Sequence, residues 1–346
     1  MKIAVGLSGG VDSSVVLLML KEQGFEVTGV HMQCWDYNEE GCTGEKDKAD
    51  AVSICTQLNV PFKFLDYQKE YNQRVIDNFY EEYENGRTPN PDILCNKEIK
   101  FGLFLDWALE NGFDMVATGH YAKIMKTDIP RLFIPKDTTK DQTYFLYRIS
   151  NEKLSKILFP LGDLLKSEVK EIAFQNNLKN YNKPESMGIC FIGKINVKDF
   201  LKRRISEKSG NVLNLRGEVI GKHKGVPFYT IGQRHGFEIY KYTGEPMYVI
   251  KKIAADNTII VGSEEEARTS VFNVQEISFL SEYLEGSQKL LVRIRHLGEL
   301  HNADVGFREG TAFVTLHEKV FAVAPGQSCV FYSENGQVMG GGIISE

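Results

Sequence analysis

The 346-residue sequence lacks the features of a secreted, membrane-spanning or strongly basic protein. No stretch combines a basic start, an apolar core and a small-residue cleavage site, and no run approaches the roughly 18 apolar residues of a membrane span. The formal net charge is −5, so the chain as a whole does not attract a polyanion. We therefore expect a cytoplasmic protein without a membrane partner. Nucleic acid would need local clusters such as Lys202-Arg203-Arg204 or Arg293-Ile294-Arg295-His296, which taken alone are more typical of a solvated face.

Closely spaced cysteine pairs are also missing. The six cysteines are scattered, and no Cys-x-x-Cys or His-x-x-x-His spacing suggests a zinc site. Without a secretion signal, structural disulfides are not expected, so each cysteine must be explained by burial or by chemistry. Cys55 and Cys329 lie in helical and strand patterns and are predicted to be core residues, whereas no role is assigned to Cys34 or Cys42.

A glycine-rich turn between a predicted strand and a predicted helix is the clearest positive feature. Residues 6–14 read Gly-Leu-Ser-Gly-Gly-Val-Asp-Ser-Ser and follow the apolar run Lys2–Val5. Such a turn directs backbone N–H groups and the positive end of a helix dipole at one point, where an anion is stabilised. Gly9 and Gly10 leave room for a pyrophosphate, and serine hydroxyls add donors. The alternative is a turn of the same shape without a ligand.

This turn lacks the lysine of the phosphate loop in kinases and GTPases. That loop requires Gly-Lys-Ser or Gly-Lys-Thr where this chain has Val-Asp-Ser, so transfer of a γ-phosphoryl group is not expected. The pattern Ser-Gly-Gly-Val-Asp-Ser instead resembles the pyrophosphatase loop of enzymes that split ATP between the α and β phosphates. ATP is the expected substrate, accompanied by Mg²⁺. Asp12 is a candidate metal ligand, but the sequence assigns no metal site.

The first part of the chain alternates strand and helix patterns, which is typical of a parallel sheet covered by helices. Ligands of such sheets lie beyond the carboxyl ends of the strands, where residues 6–13, His31-Met32 and Gly119-His120 are expected. From about Leu213 short β-rich runs alternate with turns, as in small barrels or sandwiches. We predict an α/β fold with a parallel sheet of the ATP pyrophosphatase type, followed by two smaller β-rich domains. The predicted domains are a catalytic ATP-binding domain at 1–200, a small β-rich domain at 201–267 and a β-barrel at 268–346.

The same patterns predict individual elements. The predicted helices are Asp12–Gln23, Asp47–Leu58, Gln68–Asn85, Lys97–Glu110, Asn151–Ile157 and Lys166–Asn176. The predicted strands of the first part are Lys2–Leu7, Glu26–Met32, Pro61–Leu65 and Met115–Thr118. Those of the second part are Val219–Gly221, Phe228–Ile231, Met247–Ile250, Ile259–Val261, Leu290–Ile294, Ala312–Leu316 and Ser328–Tyr332.

Two cysteines lie in segments with the composition of a reactive site. Cys95 follows a stretch with two prolines and opens a predicted helix, so the helix start and Lys97 are expected to favour its thiolate. Asp92 lies three residues earlier, close enough to exchange a proton with a substrate in the same pocket. Cys190 lies in the glycine-bounded stretch Gly188–Gly193, which could carry it in and out of a cleft. Burial among apolar neighbours explains either cysteine equally well.

Together these motifs resemble those of the bacterial and organellar tRNA-specific 2-thiouridylases over nearly the whole chain. The sequence departs from that pattern at Glu185-Ser186-Met187, where Asp-Ser-Thr is usual, and at Arg295-His296, where a basic-aromatic pair is expected. The motifs that carry the resemblance are Gly-Leu-Ser-Gly-Gly-Val-Asp-Ser-Ser-Val at 6–15, Arg-Thr-Pro-Asn-Pro-Asp-Ile-Leu-Cys-Asn-Lys-Glu-Ile-Lys-Phe at 87–101, Ala-Thr-Gly-His-Tyr at 117–121, Lys-Asp-Gln-Thr-Tyr-Phe-Leu at 140–146, Gly-Ile-Cys-Phe-Ile-Gly at 188–193, Thr-Ile-Gly-Gln-Arg at 230–234 and Pro-Gly-Gln-Ser at 325–328.

The resemblance implies that sulfur replaces the 2-oxygen of the wobble uridine (U34) in certain tRNAs. ATP would adenylate that oxygen, and a persulfide on Cys190, loaded by a cysteine desulfurase or a sulfur-relay protein, would deliver the sulfur. Cys95 would be the nucleophile that resolves the persulfide through a transient Cys95–Cys190 disulfide, and Asp92 would be the general acid/base. AMP and pyrophosphate would be released.

The resemblance also assigns binding residues by position. The implied ATP-binding residues are Gly6, Leu7, Ser8, Gly9, Gly10, Val11, Asp12, Ser13, Met32 and Gly119. The residues implied in contacts with the tRNA or its target base are Asn90, Pro91, Asp92, His120, Lys140, Asp141, Gln142, Arg295, His296 and Gln327.

Two other functions remain compatible with the sequence. Another pyrophosphate-releasing synthetase could adenylate a small molecule, and it would give Cys190 no role. A non-catalytic RNA-binding relative could retain the fold without the chemistry, and its function would not change on replacement of Cys190.

Overall fold

The computed structural model describes residues 1–36, 44–184, 190, 196–240, 244–280 and 283–345. The strands of its first half are β1 (Lys2–Gly6), β2 (Glu26–Gln33), β3 (Phe62–Asp66), β4 (Met115–Ala117), β5 (Lys123–Met125), β6 (Arg131–Phe133) and β7 (Ile157–Leu158). Every pairing along the order β3-β2-β1-β4-β7 is parallel, while β5 and β6 form a separate antiparallel pair. The predicted parallel sheet is confirmed.

Helices cover both faces of this sheet. They are α1 (Val11–Glu22), α2 (Gly44–Gln57), α3 (Gln68–Tyr71), α4 (Asp77–Glu84), α5 (Pro91–Leu94), α6 (Phe104–Glu110), α7 (Asn151–Leu154), α8 (Lys166–Gln175) and α9 (Val197–Lys202). Side chains alternate along β1, so Ile3 and Val5 pack in the core with α1, α2 and α8, whereas Ala4 belongs to the core on the opposite face. Within the described ranges no helix combines the length and apolarity needed to cross a membrane.

The helix that carries Cys95 begins earlier than the predicted Lys97. Asn90 caps it, because the Asn90 side chain accepts a hydrogen bond from the Asp92 N–H at 3.1 Å. Pro91 occupies the first turn, where an N–H would have no intrahelical partner. The residue types at the cap therefore fix the start of α5, and with it the position of the segment that follows.

The same helix is π-helical from Cys95 to Leu103, between α5 and α6. A second π-helical segment, Asn72–Ile76, joins α3 to α4. Hydrogen bonds in a π-helix join residues five apart rather than four. Lys100 therefore follows Cys95 by one turn on the same face, a position that α-helical spacing would not give it.

The second half of the chain folds into two β-rich units. The first is a sheet with the order β10-β9-β8-β12-β11, built from β8 (Gly210–Leu213), β9 (Val219–His223), β10 (Glu238–Ile239), β11 (Tyr248–Ile253) and β12 (Thr258–Gly262). The second is a closed barrel with the order β13-β16-β15-β14-β17-β18, built from β13 (Arg268–Phe279), β14 (Gly286–Arg293), β15 (His301–Arg308), β16 (Thr311–Phe321), β17 (Ser328–Tyr332) and β18 (Val338–Ser345). The predicted change from α/β to β-rich structure is confirmed.

Two predicted elements differ from the structure. The strand predicted at Phe228–Ile231 is absent, because Val226–Phe228 form a 3₁₀ turn around Pro227, which has no N–H for a strand ladder. The helix predicted at Asn151–Ile157 ends at Leu154, and Ile157 opens the edge strand β7. In both places the apolar pattern is too short to separate a turn or strand from the predicted element.

The barrel is tied to the first half of the chain by buried polar contacts. Asp141, which is 0% exposed, forms an ion pair with buried Arg293 of β14. The Tyr144 hydroxyl donates to the Ser328 carbonyl oxygen at 2.8 Å, and the Tyr147 hydroxyl contacts the Ser328 hydroxyl at 2.9 Å. Because each buried polar group has its partner in the other unit, the barrel has a fixed position beside the sheet.

Candidate active site

The glycine-rich turn connects β1 to α1 and is held open by its own serines. The Ser13 and Ser14 hydroxyls donate to the Gly10 carbonyl oxygen at 3.2 and 2.9 Å, and the Gly10 N–H donates to the Ser8 hydroxyl at 3.3 Å. Gly9 has a φ of +76°, and a Cβ there would lie 2.4 Å from the Asp47 carbonyl oxygen. Glycine is therefore required at this point of the turn.

Two lysines from distant segments lie beside the turn, and both are paired with carboxylates: Lys166 with Asp12, and Lys183 with Asp47 and Asp50. Lys166, the first residue of α8, places its ammonium 2.6 and 2.7 Å from the two carboxylate oxygens of Asp12. The Lys183 ammonium donates to the Gly9 carbonyl oxygen at 3.2 Å and to Asp47 at 2.6 Å. No local spacing links these lysines to the turn, which explains why the sequence did not identify them.

The candidate metal ligand Asp12 is already engaged by protein groups. Both of its oxygens accept from Lys166, and one also accepts from the Tyr121 hydroxyl at 3.0 Å. Among the residues that the structure describes, no three His, Cys, Asp or Glu side chains converge on a point where they could hold a metal ion. The donor set therefore does not fit a protein-held Mg²⁺ at Asp12.

Met32 and Gly119 lie against the turn, where the sequence predicted them. A Cβ on Gly119 would lie 2.9 Å from the Ser13 backbone nitrogen and 3.1 Å from the Asp12 Cβ. Buried Met32 ends near Gly6, 3.5 Å from the position of a Cβ there. The end of β4 thus approaches the start of α1 closely enough to exclude any side chain at 119.

The structure brings Cys95 and Cys190 into contact, although 94 residues separate them in the chain. The two sulfurs share a hydrogen bond, and neither is in a disulfide. Backbone groups of Cys190 are fixed on both sides: its N–H donates to an Asp92 carboxylate oxygen at 2.9 Å, and its carbonyl accepts from the Tyr71 hydroxyl at 2.7 Å. We call the group formed by Cys95, Cys190, Asp92 and Lys100 the thiol pocket.

The electrostatics of the thiol pocket place the thiolate on Cys190, not on Cys95. A hydrogen bond from the Cys95 thiol, assisted by the Lys100 ammonium, lowers the pKa of Cys190 despite burial. Complete burial is the larger cause, and the contact with Cys190 the smaller one, that raise the pKa of Cys95 well above that of an ordinary thiol. The prediction that a helix start and Lys97 favour a Cys95 thiolate is therefore wrong, because Cys95 is 0% exposed and the nearby cation is Lys100.

Lys100 is a buried cation whose charge is maintained by the thiol pocket. Burial works against this charge, but the Cys190 and Cys95 sulfurs outweigh it and raise the pKa of Lys100. Burial also raises the pKa of Asp92 above that of an ordinary carboxyl, although the Cys190 N–H and Lys100 both act against this rise. A buried carboxyl beside the two thiols is a candidate for proton exchange with them.

His120 connects the thiol pocket to the glycine-rich turn. Its Nδ1 lies 2.7 Å from the Thr118 hydroxyl, and its Nε2 lies 3.4 Å from the Lys100 ammonium. Burial and Lys100 lower the pKa of His120 well below its usual value, so the ring is neutral. Gly119 lies against the glycine-rich turn and His120 contacts Lys100. Residues 118–120 therefore connect the turn to the thiol pocket.

The remaining residues predicted to contact RNA differ widely in exposure. The Asp141 carboxylate is enclosed by Arg293 and Thr143, so RNA cannot reach it in this structure, and the predicted contact there is not supported. His120 is 7% exposed and therefore offers little surface to an RNA in this structure. Lys140 and Gln142 are half-buried, and the Gln142 side-chain oxygen accepts from the Tyr121 N–H at 2.9 Å.

The residues predicted on the barrel lie at two separate places. Arg295 is exposed just beyond β14, and the His296 ring lies 4.2 Å from the Phe145 ring. Burial lowers the pKa of His296 to about 4, so it carries no charge for RNA at neutral pH. The Gln327 amide donates to the Thr88 and Pro89 carbonyl oxygens at 2.8 and 3.3 Å.

Ion pairs within the protein account for most of the cluster at 202–204. Lys202 pairs with Glu207 at 3.0 Å, and Arg204 pairs with Asp77. Cys55 and Cys329 are 2% and 0% exposed, which confirms them as core residues, and Cys34 is 1% exposed. The predicted mobile stretch around Cys190, the departure at 185–187 and Cys42 lie outside the described residues.

Residues 86–97 include Asp92 and Cys95, and we call them the catalytic segment. A cavity of about 840 Å³ lies where this segment meets the two β-rich units. Pro89, Asn90 and Leu94 line it from the first half of the chain. Although the protein has a net charge of −5, the charged residues among the described residues of this lining are mostly basic. They are Arg87, Lys97, Arg148, Lys251 and Lys252, against Glu82 and Glu276.

Three comparisons relate the chain to known proteins. Residues 1–194 match the tRNA methyl transferase HUP domain, residues 198–263 the tRNA methyl transferase PRC-barrel domain and residues 269–344 the aminomethyltransferase beta-barrel domain. The tRNA-specific 2-thiouridylase MnmA 1 of Geobacillus kaustophilus is 43% identical over 355 residues, and the match covers 100% of this chain and 95% of that protein. The MnmA of Bacillus subtilis is 41% identical over 359 residues, with the same shares covered.

Similarity to solved structures is lower. The U34-tRNA thiolase NcsA from Methanococcus maripaludis is 20% identical, with a TM-score of 0.37 over 56% of this chain and 63% of that one. The full-length matches at 41% and 43% identity decide the assignment. The chain belongs to the tRNA-specific 2-thiouridylase family.

Proposed function

We propose that the protein synthesises 2-thiouridine at the wobble position (U34) of tRNA, using ATP to activate the C2 oxygen and a persulfide on Cys190 as the sulfur carrier. Membership in the 2-thiouridylase family supports the overall reaction. The observation that carries the mechanism is the hydrogen-bonded Cys95–Cys190 pair beside Lys100, connected through His120 to the phosphate-binding turn. An activating site and a sulfur-carrying site thus adjoin each other.

Activation of the uridine is the first step, because a ring carbonyl oxygen is a poor leaving group. The C2 oxygen attacks the α-phosphorus of ATP, pyrophosphate leaves, and the oxygen becomes part of an AMP ester. Residues 6–13 would bind the phosphates through backbone N–H groups and the positive end of α1. Lys166 and Lys183 flank this turn and would stabilise the charge that develops on the departing pyrophosphate. Met32 and Gly119 would contact the adenosine.

Gly119→Ala should raise the KM for ATP about tenfold or more. A methyl group at 119 would meet the Ser13 nitrogen at 2.9 Å, so the start of α1 must shift away from its phosphate-binding position. Steady-state kinetics of pyrophosphate release with varied ATP would measure this effect. Gly306→Ala is the matched control, since a Cβ at 306 meets nothing within 4 Å. An unchanged KM in the Gly119 variant would remove Gly119 from the nucleotide site.

Sulfur transfer follows as a displacement at C2. The terminal sulfur of the Cys190 persulfide attacks C2, and AMP leaves with the former carbonyl oxygen. The Cys95 thiolate then attacks the inner sulfur of the persulfide, and the sulfur–sulfur bond breaks. Its electron pair goes to the sulfur now on C2. The products are 2-thiouridine, AMP and a Cys95–Cys190 disulfide, which a dithiol reductant returns to two thiols. Such a transient bond suits the reducing cytoplasm in which we expect the protein.

Burial supports this division of work between the two thiols. Cys190 is less buried than Cys95, and its thiolate is stabilised by Cys95 and Lys100, so we assign to Cys190 the attack on the persulfide of a cysteine desulfurase or a relay protein. Cys95 is fully buried and holds its proton, so it cannot meet a donor protein but lies in contact with Cys190. Asp92 contacts Cys190 and would serve as the general acid/base that accepts the Cys95 proton.

Substrate RNA would approach from the side of the basic cavity. Arg87 and Arg148 pair with the two acidic residues of its lining, Glu82 and Glu276. The excess positive charge that would attract phosphates there comes from Lys97, Lys251 and Lys252. Asn90, which lines this cavity and caps α5, would contact the target base together with Pro91 and Asp92. Lys140, Gln142, Arg295, His296 and Gln327 remain the proposed outer contacts with the tRNA.

Reconstitution tests the proposed function. Protein, ATP with Mg²⁺, a cysteine desulfurase with cysteine, and unmodified tRNA bearing U34 should yield 2-thiouridine at position 34, with one AMP and one pyrophosphate per sulfur. Nucleoside mass spectrometry of the digested tRNA measures the product. Pyrophosphate release that depends on a small acceptor but not on tRNA would support the alternative synthetase instead. Binding of tRNA without any product would support a non-catalytic relative.

A further inference from the structure

Thr88, two residues before the cap of α5, is held at all of its polar groups by the two β-rich units. Its N–H donates to the Pro325 carbonyl oxygen at 2.9 Å, and its own carbonyl accepts from the Gln327 amide at 2.8 Å. Its hydroxyl accepts from the Lys252 ammonium at 3.2 Å. Pro325 and Gln327 belong to the barrel, and Lys252 belongs to β11 of the smaller sheet. One residue of the catalytic segment is therefore fixed by both other units.

Close backbone packing accompanies these bonds. A Cβ on Gly326 would lie 2.6 Å from the Thr88 nitrogen and 2.9 Å from the Arg87 Cβ. A Cβ on Gly86 would lie 3.2 Å from Ala254 Cβ in the smaller sheet. The chain between 86 and 88 thus passes through a narrow gap between the two β-rich units, in which its position cannot vary much.

Lys252 is an unusual residue for a purely structural contact. It is 8% exposed, and its ammonium donates to the Thr88 hydroxyl at 3.2 Å and to the Tyr229 carbonyl oxygen at 2.9 Å. Burial lowers the pKa of Lys252 to about 7, and within the part of the chain that the structure describes no carboxylate opposes this shift. An apolar side chain of similar length would avoid the desolvation, so stability alone does not account for a lysine at this position.

We propose that Thr88 is a latch through which the two β-rich units set the position of the catalytic segment, and that Lys252 and Gln327 are positioning residues for sulfur transfer. Pro89 and Pro91 stiffen the chain between the latch and α5. A shift at Thr88 therefore moves Asp92 and Cys95 relative to Cys190. This inference rests on the proposed function. The two β-rich units contribute no residue that we assign to the sulfur-transfer chemistry, yet through Thr88 they would influence the rate of the reaction.

The test compares Thr88→Val, which removes the hydroxyl at nearly constant shape, with Thr88→Ser, which keeps it. Thr88→Val should lower kcat for 2-thiouridine formation about tenfold while the KM for ATP and the Kd for tRNA stay within about twofold, and Thr88→Ser should retain wild-type kcat. Lys252→Met should lower kcat by the same factor without lowering the melting temperature. The double variant Thr88→Val/Lys252→Met should be no slower than either single variant.

Three results would overturn the latch: wild-type kcat in Thr88→Val, equal losses in the Val and Ser variants, or additive losses in the double variant. Lys252→Met keeps the test decisive if Thr88→Val does not fold. Alkylation of Cys190 gives a readout that does not depend on the proposed reaction, since displacement of Cys95 in Thr88→Val should move the pH profile of alkylation upward. If wild-type protein makes no 2-thiouridine, the proposed function fails, whereas an unchanged alkylation profile counts against the latch alone.

Discussion

Cys190→Ser protein is expected to fold, to bind ATP and tRNA with wild-type affinity, and to form no 2-thiouridine above the limit of detection. A serine hydroxyl fits in place of the thiol but cannot carry sulfane sulfur, so no slower route replaces the lost step. The loss should be at least about 10³-fold, in line with removal of a covalent nucleophile. Nucleoside mass spectrometry of reaction mixtures, with tRNA binding measured in parallel, gives both quantities.

Cys55→Ser provides the matched control for this variant. Cys55 is a core residue that is 2% exposed. It packs between the sheet and helices α1, α2 and α8, away from the thiol pocket. This control should keep wild-type activity even if its melting temperature falls. Normal thiolation by Cys190→Ser protein would show that sulfur reaches the uridine by another route, and our assignment of the carrier would be wrong.

Lys100→Met is expected to lower the rate of 2-thiouridine formation at pH 7 about 100-fold, with partial recovery as the pH rises. Lys100 lowers the pKa of Cys190, so the thiolate is present above that lowered pKa and is lost as the pH falls through it. Without the ammonium, the pKa of Cys190 rises and a higher pH is needed to form the same thiolate. An opposite charge at contact distance shifts a pKa by about 1 to 3.

Alkylation of Cys190 by iodoacetamide as a function of pH measures this effect directly, with the modified peptide quantified by mass spectrometry. The midpoint in Lys100→Met should lie at least about one pH unit above that of the wild type. Lys97→Met is the control on the same helix, because the Lys97 side chain is 41% exposed and pairs with Glu98 at 3.0 Å. Superimposed profiles for the wild type and Lys100→Met would rule out Lys100 as the counterion of the thiolate.

Features encoded by neighbouring residues could be predicted from the sequence. The glycine-rich turn between β1 and α1, the parallel sheet and the β-rich second half all follow from short patterns, in which glycine placement or alternating apolar residues act within a few positions. Asn90 and Pro91 illustrate this point, because a cap and a first-turn proline fix the start of α5 through purely local bonds. Residues with such local causes can be placed without knowledge of the fold.

Features that depend on distant contacts or unusual winding could not be predicted. Lys100 reaches the thiol pocket because the helix is π-helical from Cys95 onward, whereas α-helical spacing would turn it away. Lys166 and Lys183 approach the glycine-rich turn from segments more than 150 residues away. The Cys95 thiolate was predicted wrongly because complete burial, which no local pattern reveals, outweighs the charge of a neighbouring lysine.

A single-turnover experiment with protein loaded with labelled persulfide on Cys190 tests the central claim most directly. After mixing with ATP, Mg²⁺ and tRNA in the absence of a reductant, the labelled nucleoside and the non-reduced peptides are quantified together. Our account predicts one labelled 2-thiouridine for each Cys95–Cys190 disulfide formed. Labelled 2-thiouridine produced while both cysteines remain as free thiols would contradict it.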